Sequence, residues 1–521
     1  MKLNFWGRSA APAPAAPATT ALAEVRTTKP PRRSWMARSL ATLFKAAEEA
    51  GNDKWTTMPT APDDFITRSH TVLVARSREQ WANNDYAMAF QRLIRQNVVG
   101  PIGVTYQAKA TTPRGKLDKD ANAALEADWC EWGEKGNCDV TGKLTFREIQ
   151  ALAVETAARD GEYIIRLVYG ADAGPHGFAV QFIDPQRLPV WHDVINYNGG
   201  GFIRHGVEFN SYGRPVAYHF TSTSEGDPTY YNHAGRGFVR VPADEIIHEF
   251  IVEMVGQRRG LPWTRTTLKR LRNINGFEDA AVQNARAGAS TMGFIQYREG
   301  TGPELDDNEE LNIQAEPLKF QELPEGAELK EFKPQFPSGE TAPFIKSQLR
   351  GAASGMGVPY NELANDLEGV NFSSIRQLTL DAREHYKEIQ QWMIDGLVKR
   401  VRDAHLRLRL LQGAIKVKGQ PLAADKLPVY RQCTWQPRRW AWIDPRADVD
   451  SAVQSIRAGL ISPSTVIREQ GRDPETVFQE LAADLQAMKA HGIPEEIIHQ
   501  FFFGVAPPPP KPEAPPKANN E

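Results

Sequence analysis

The sequence predicts an α+β protein whose strands are gathered in one stretch and whose second half is mostly helix. Three observations predict it. Between about 160 and 253, short runs of apolar residues (GEYIIRLVYG, FAVQFID, GFIRHGVEFN, RPVAYHFTS and VPADEIIHEFIVE) are separated by turns such as Asn198–Gly201 and Asn210–Gly213. From 264 to 286 and from 372 to 411 the spacing is helical over runs far longer than a strand. From 446 to 492, Gly459, Ser462-Pro463, Gly471, Asp473-Pro474 and Gly492 punctuate three further helices. Ser and Asp accept from free amides at helix starts, Pro fits the first turn, and Gly takes the left-handed exit.

In chain order, 1–62 is an Ala/Pro-rich tail too poor in apolar residues to order itself. It is basic: Lys/Arg at 2, 8, 26, 29, 32, 33, 38 and 45 face one acid, Glu24, before residue 46. The folded part begins near Ile66. The run 78–100 reads as a helix with Trp81, Met88, Leu93 and Ile94 on its apolar face, stopped by Gly100-Pro101. A strand (IGVTYQAKA) and helices over Asn122–Glu131 and Thr145–Asp160 follow, Gly161 ending the last. Thr264–Arg286 is a helix about 35 Å long. Residues 290–337 form an acidic excursion with strand-like fragments. A returning helix over 344–357 leads through NDLEGVN (365–371) into the run 372–411, about 60 Å if continuous. AIKVKG and the Trp-rich CTWQPRRWAWIDP (433–445) read as extended pieces returning to the strand unit. The chain ends in a proline-rich tail.

The charge balance of −2 argues against a protein that coats nucleic acid over its whole surface. Cys130, Cys138 and Cys433 match neither a disulfide framework nor a zinc motif. No apolar run reaches membrane-spanning length, so no membrane partner is expected. The search for an active site returns negatives. GNCDVTGKL (136–144) has one residue too many for a phosphate loop, and Leu144 stands where a hydroxyl would be needed. His248-Glu249 has no second histidine at 252 and reads as a strand histidine with a local partner. Expected, therefore, are no catalytic residue, no metal and no cofactor. Lys269, Arg270, Arg272, Lys346 and Arg350 are candidate nucleic-acid contacts if they share a face. Trp435, Trp440 and Trp442 fit packing better than base stacking.

The order of these segments, with NNDYAMAFQRLIRQNVVG, ARDGEYIIRLVY, FIDPQRLP, ADEIIHEFIVEMVGQRRGLPW, GMGVPYNELANDLEGVNFSSIRQ and RAGLISPSTVIREQGRDPETVFQELA, resembles the lambda-type portal proteins of tailed bacteriophages. The resemblance implies a portal fold. Residues 63–261 and 373–445 would form the wing, 262–289 and 338–360 the two stem helices, and 290–337 a small α/β clip. Residues 361–372 would be the channel loop and 446–504 the crown, with tails at 1–62 and 505–521. It implies a homo-oligomeric ring, a dodecamer, at one capsid vertex of the virion, assembled in the host bacterial cytoplasm. Double-stranded DNA would pass through it. The terminase large subunit, the major capsid or scaffold protein and head-completion (adaptor) proteins would be its partners. Asn365, Asp366, Leu367, Glu368, Gly369, Val370, Asn371 and Arg376 would face DNA, and the five basic stem residues would line the channel. Glu304, Asp306, Asp307, Glu309 and Glu310 would face the terminase. The alternatives are another capsid or scaffold component, or a DNA-packaging enzyme subunit.

Overall fold

The computed structural model describes residues 59–222, 237–289, 293–297, 327–331, 341–440, 445–494 and 497–498. The first helix, α1 (Pro62–Asn83), opens with Pro at its first turn and acids at 63 and 64, both suited to a helix start. Ile66, His70, Val74 and Ser77 recur at helical spacing and are buried. The chain breaks at Asn84, whose extended backbone and side chain cap α2 (Asp85–Ile94) by accepting from the Ala87 amide at 3.0 Å. The expected single helix over 78–100 is therefore two, and a π turn (Arg95–Val99) follows. The apolar face also differs from the expectation. Ala87, Phe90, Ile94 and Val98 are buried, whereas Trp81 and Met88 are 36% and 39% exposed, because the break at Asn84 resets the helical phase.

Strand β1 (Thr105–Ala108) precedes α3 (Lys119–Trp132) and α4 (Phe146–Asp160). A capping box between Thr145 and Glu148 starts α4, and Gly161, with φ of 96°, ends it. The strand unit follows: β2 (Glu162–Tyr169), β3 (Phe178–Ile183), β4 (Val194–Tyr197), β5 (Gly201–Arg204), β6 (Val207–Phe209), β7 (Pro215–Thr221), β8 (Phe238–Pro242) and β9 (Ile246–Phe250). They make two antiparallel sheets, ordered β3-β2-β9 and β4-β5-β6-β7-β8. Two expected strands prove to be pairs. GFIRHGVEFN turns at His205-Gly206 to give β5 and β6. The run 241–253 spans the end of β8 and all of β9: a one-turn 3-10 helix at Ala243–Glu245 carries the chain from one sheet to the other. Ile164, Val207, Phe209, Tyr218, Phe220, Val241 and Ile246 form the core between the sheets.

Beyond the strands, α5 (Leu268–Ala289) leads to β10 (Gly293–Tyr297), which pairs antiparallel with β11 (Ala327–Glu331). The chain returns in α6 (Thr341–Met356) and the short α7 (Tyr360–Ala364). The long helix is continuous as α8 (Phe372–Met393), a π turn at Ile394–Val398, and α9 (Lys399–Leu411). Gly396 in that turn lies against Glu249, where an added Cβ would stand 2.8 Å from the Glu249 side chain. Ile389, Met393, Leu397, Val398 and Val401 join Phe90, Ile94, Trp132, Ile149, Tyr163 and Ile247 in the main core. The side-chain amide of Gln390 donates to the carbonyls of Asn97, Val98 and Arg438, at 3.1, 3.2 and 3.1 Å, pinning the helix to both flanking segments.

The later strands do not return to the strand unit as expected. A minimal hairpin, β12 (Lys416–Val417) with β13 (Gln420–Pro421), closes on itself. After α10 (Leu427–Tyr430), β14 (Cys433–Gln436) pairs with β1, Tyr106 opposite Trp435. Both aromatics pack there, 5.2 Å between ring centroids, and Trp440 packs on Tyr386. Trp442 lies outside the described residues. The last helices are α11 (Pro445–Arg457), α12 (Pro463–Glu469) and α13 (Pro474–Ala490), bounded as the punctuation predicts.

Candidate channel site: the helix pair and its loop

The base of the helix pair is built on a buried ion cluster. Glu162 and Arg259 are both fully buried. The carboxylate accepts from Arg259 Nε at 2.8 Å, from the Gly260 amide at 2.8 Å and from His248 Nε2 at 3.0 Å. Arg259 also donates to the carbonyls of Leu188, His205 and Pro185. Burial opposes ionisation of Glu162, but Arg259 and His248 hold its carboxyl well below the usual range. The pair fixes the chain where it leaves the sheets. His248 thus has the local partner expected of it, not a zinc ion's geometry. The loop 136–144 likewise folds on its own acid, Asp139, which accepts from the Lys143 amide at 3.2 Å.

The antiparallel pairing of α5 and α6 follows from three contacts in reversed order. Thr266 Oγ1 donates to the Gly355 carbonyl at 3.4 Å, Arg270 to that of Gln348 at 3.4 Å, and the rings of Phe277 and Phe344 lie 5.4 Å apart. The helix starts at Leu268 rather than Thr264, because Thr264–Thr267 form a capping turn. Gly351 and Gly355, four apart, let the helices approach: a Cβ on Gly355 would stand 2.5 Å from Thr267 Cγ2, and one on Gly351 would meet the Arg270 guanidinium. α1 and the break after it hold α5 and the turn before it, through Ser77 to Thr264 at 3.1 Å and Asn84 to Asn275 at 2.7 Å.

At the other end of α6 the chain turns at Gly357 into α7 and reaches the loop. Asn365 takes a left-handed conformation, and Asn371 caps α8 by accepting from the Ser374 amide at 2.8 Å. The loop is held by Asp366. This carboxylate accepts from the Tyr360 hydroxyl at 2.7 Å and the Glu368 amide at 2.9 Å, and Lys346 Nζ lies 3.2 Å away. Tyr360, that amide and Lys346 lower its pKa to about 2. Lys346 also bonds the Glu368 carboxylate. Leu367 is 63% exposed at the tip, and Gly369, with φ of 72°, has open space around it.

The five basic candidates separate. Lys346 is engaged by the loop's acids. Arg350 lies over the Tyr360 ring at 5.3 Å, and Arg270 fills the gap beside Gly351. Lys269 and Arg272 are exposed on α5. Arg376 pairs with Asp448 of α11 at 3.1 Å, which ties the start of the long helix to the terminal helices. The loop's own sequence holds no cation, but the fold supplies one from α6. Glu304, Asp306, Asp307, Glu309 and Glu310 lie outside the described residues. Sequence reasoning missed Tyr360 and the pair Glu162–Arg259. For the glycine pair of α6 a signal existed: G-x-x-x-G at 351–355 is legible in the sequence.

A family profile described as phage portal protein, lambda family, matches residues 49–390. The chain belongs to the lambda family of phage portal proteins. A probable portal protein of Halomonas phage phiHAP-1 is 34% identical over 466 residues, covering 88% of each chain. Portal protein B of Escherichia phage lambda is 21% identical over 477 residues, 84% of this chain and 88% of that one. Among solved structures, the neck of a native GTA particle computed with C12 symmetry is similar, at 15% identity and a TM-score of 0.42, covering 77% of this chain and 94% of that chain. Membership gives this portal its role at the capsid vertex in DNA packaging.

Proposed function

We propose that this portal assembles as a closed homo-oligomeric ring, a dodecamer, around an axial channel for double-stranded DNA. The paired α5 and α6 form the stem around the channel, and loop 365–371 faces the DNA. The excursion 290–337, of which the β10–β11 ribbon is the base, is the docking clip for the terminase large subunit and then for head-completion proteins. The protein acts as a conduit and not as an enzyme, and resides at a virion vertex after assembly in the host cytoplasm.

The observation that carries this reading is the charge state of the loop. A channel studded with unpaired cations would grip phosphates through counterion release and stall the strand. Here Lys346 is paired with both Asp366 and Glu368, so the loop offers DNA an apolar tip, Leu367, over an ion cluster with one negative charge in excess. Head-to-tail contact repeated about an axis closes into a ring, which suits a conduit. The test is deletion of Asp366–Val370. Rings are expected to form as in the wild type, because α5, α6 and the wing core do not depend on these residues, while packaging or retention of DNA falls. Normal phage yield from the deletion contradicts the assignment of the loop.

A further inference from the structure

We propose that the copies of the ring meet through the turn after β9: Val252 and Val255 of one copy enter a hollow of about 390 Å³ beside α4 of the next. The inference rests on the proposed ring and names where its subunits touch.

The turn is a braced apolar projection. Val255 is 98% exposed, more than any other large apolar side chain among the described residues, and Val252 is 65% exposed. Beneath them the side-chain carbonyl of buried Gln257 accepts from the amides of Glu253 and Met254, at 2.9 and 3.2 Å. Its side-chain amide donates to the Arg259 carbonyl at 2.9 Å. Arg265 Nη2 lies 2.7 and 2.6 Å from the two carboxylate oxygens of Glu253, so the acid of the turn is matched within the chain. A tip held in place beforehand loses little conformational freedom on docking.

The hollow suits a neutral apolar group. Leu152, Thr156 and Arg159 share one face of α4 at helical spacing, and Trp81 and Phe182 continue the wall. Its two cations are matched by its two acids. Arg78 lies 2.8 Å from Asp160 and 2.7 Å from Asp184, and Arg159 lies 3.1 Å from Asp160. No net charge is left to select an ion, while Trp81, Leu152 and Phe182 are partly open to solvent and gain from apolar cover.

Position decides the partner. β3 and β9 are the two edges of the sheet β3-β2-β9. The hollow lies where the chain leaves β3, and the projection where it leaves β9. Within one chain the tip stays in solvent. A second copy can seat it, and a contact from one edge to the opposite edge of the next copy is head-to-tail, the kind that closes into a ring.

Particle mass of the purified full-length protein, followed against concentration, tests this. Val255→Asp is expected to raise the concentration of half-assembly at least about tenfold with the circular dichroism spectrum unchanged, because water accepts the carboxylate and the hollow does not. Oxidation of a Val255→Cys, Leu152→Cys double variant is expected to link chains into a covalent ladder that neither single variant gives. Assembly of Val255→Asp at the wild-type concentration overturns the contact, and does so equally where phage yield falls, since the tip then serves a different protein. Rings of the double variant that give no ladder overturn the hollow as the seat. A wild type that stays a single chain overturns the ring itself, and this contact with it.

Discussion

Arg259 and Glu162 show how single residues position the rest of this portal. One buried ion pair, satisfied by a backbone amide, three carbonyls and a histidine, sets the point from which the chain leaves the sheets towards α5. His70 lies beside it, its Nε2 3.7 Å from Glu162. Burial, then the charge of Arg259, lowers the His70 pKa from 6.5 to about 3 against the opposing pull of Glu162; the charges of His205 and His248 lower it further. The unfolded chain therefore binds a proton in that interval that the folded chain does not, and stability falls as pH drops from 6.5 towards 3. The wild type is expected to lose about 2 kcal/mol more than His70→Asn between about pH 7 and pH 5, read as the shift in the urea unfolding midpoint. Superimposable pH dependences for the two proteins contradict this. Little of this cluster was legible beforehand. Its members sit at 70, 162, 248 and 259, and only the strand setting of His248 hinted that a partner existed.

At the scale of elements, the helix pair depends on close approach of α5 and α6. Gly355 admits Thr267, a short buried side chain that has no room to swing aside. Gly355→Val is expected to overpack the contact and cost about 1–3 kcal/mol, seen as a lowered denaturation midpoint. A midpoint at or above that of the wild type contradicts the packing described. What the sequence disclosed about elements follows the range of the forces that make them. The terminal helices were read to within a residue or two, because Ser462, Asp473 and the glycines at 459, 471 and 492 act on their own backbone neighbours. The long helix was legible from its period, but its π turn was not, since Gly396 answers to Glu249 from a distant strand. The break at Asn84 was missed because its side chain serves two ends, one local at Ala87 and one remote at Asn275. The pairing of β14 with β1 brings Gln436 to Thr105, and no local pattern records such a partner. The candidate loop was found as a segment, but the cation that pairs with its acids, Lys346, comes from α6.

The whole molecule has a feature that a single chain does not explain. In α11, α12 and α13 only Pro474 is buried, while Val449, Val453 and Phe478 are 41%, 37% and 45% exposed, and Leu460, between α11 and α12, is 77% exposed. Helices that bury so little gain little from packing alone. Ion pairs tie them to α3 and α8, Lys119 to Glu475 at 2.6 Å and Arg376 to Asp448 at 3.1 Å. Coverage of these apolar side chains by a neighbouring copy is what the proposed ring predicts. Imaging of the purified full-length protein, combined with its particle mass, tests the central claim most directly. The expected result is an annulus of closed rotational symmetry with an axial opening wide enough for a duplex. A particle with the mass of one chain under assembly conditions, or an assembly with no opening along its axis, would contradict it.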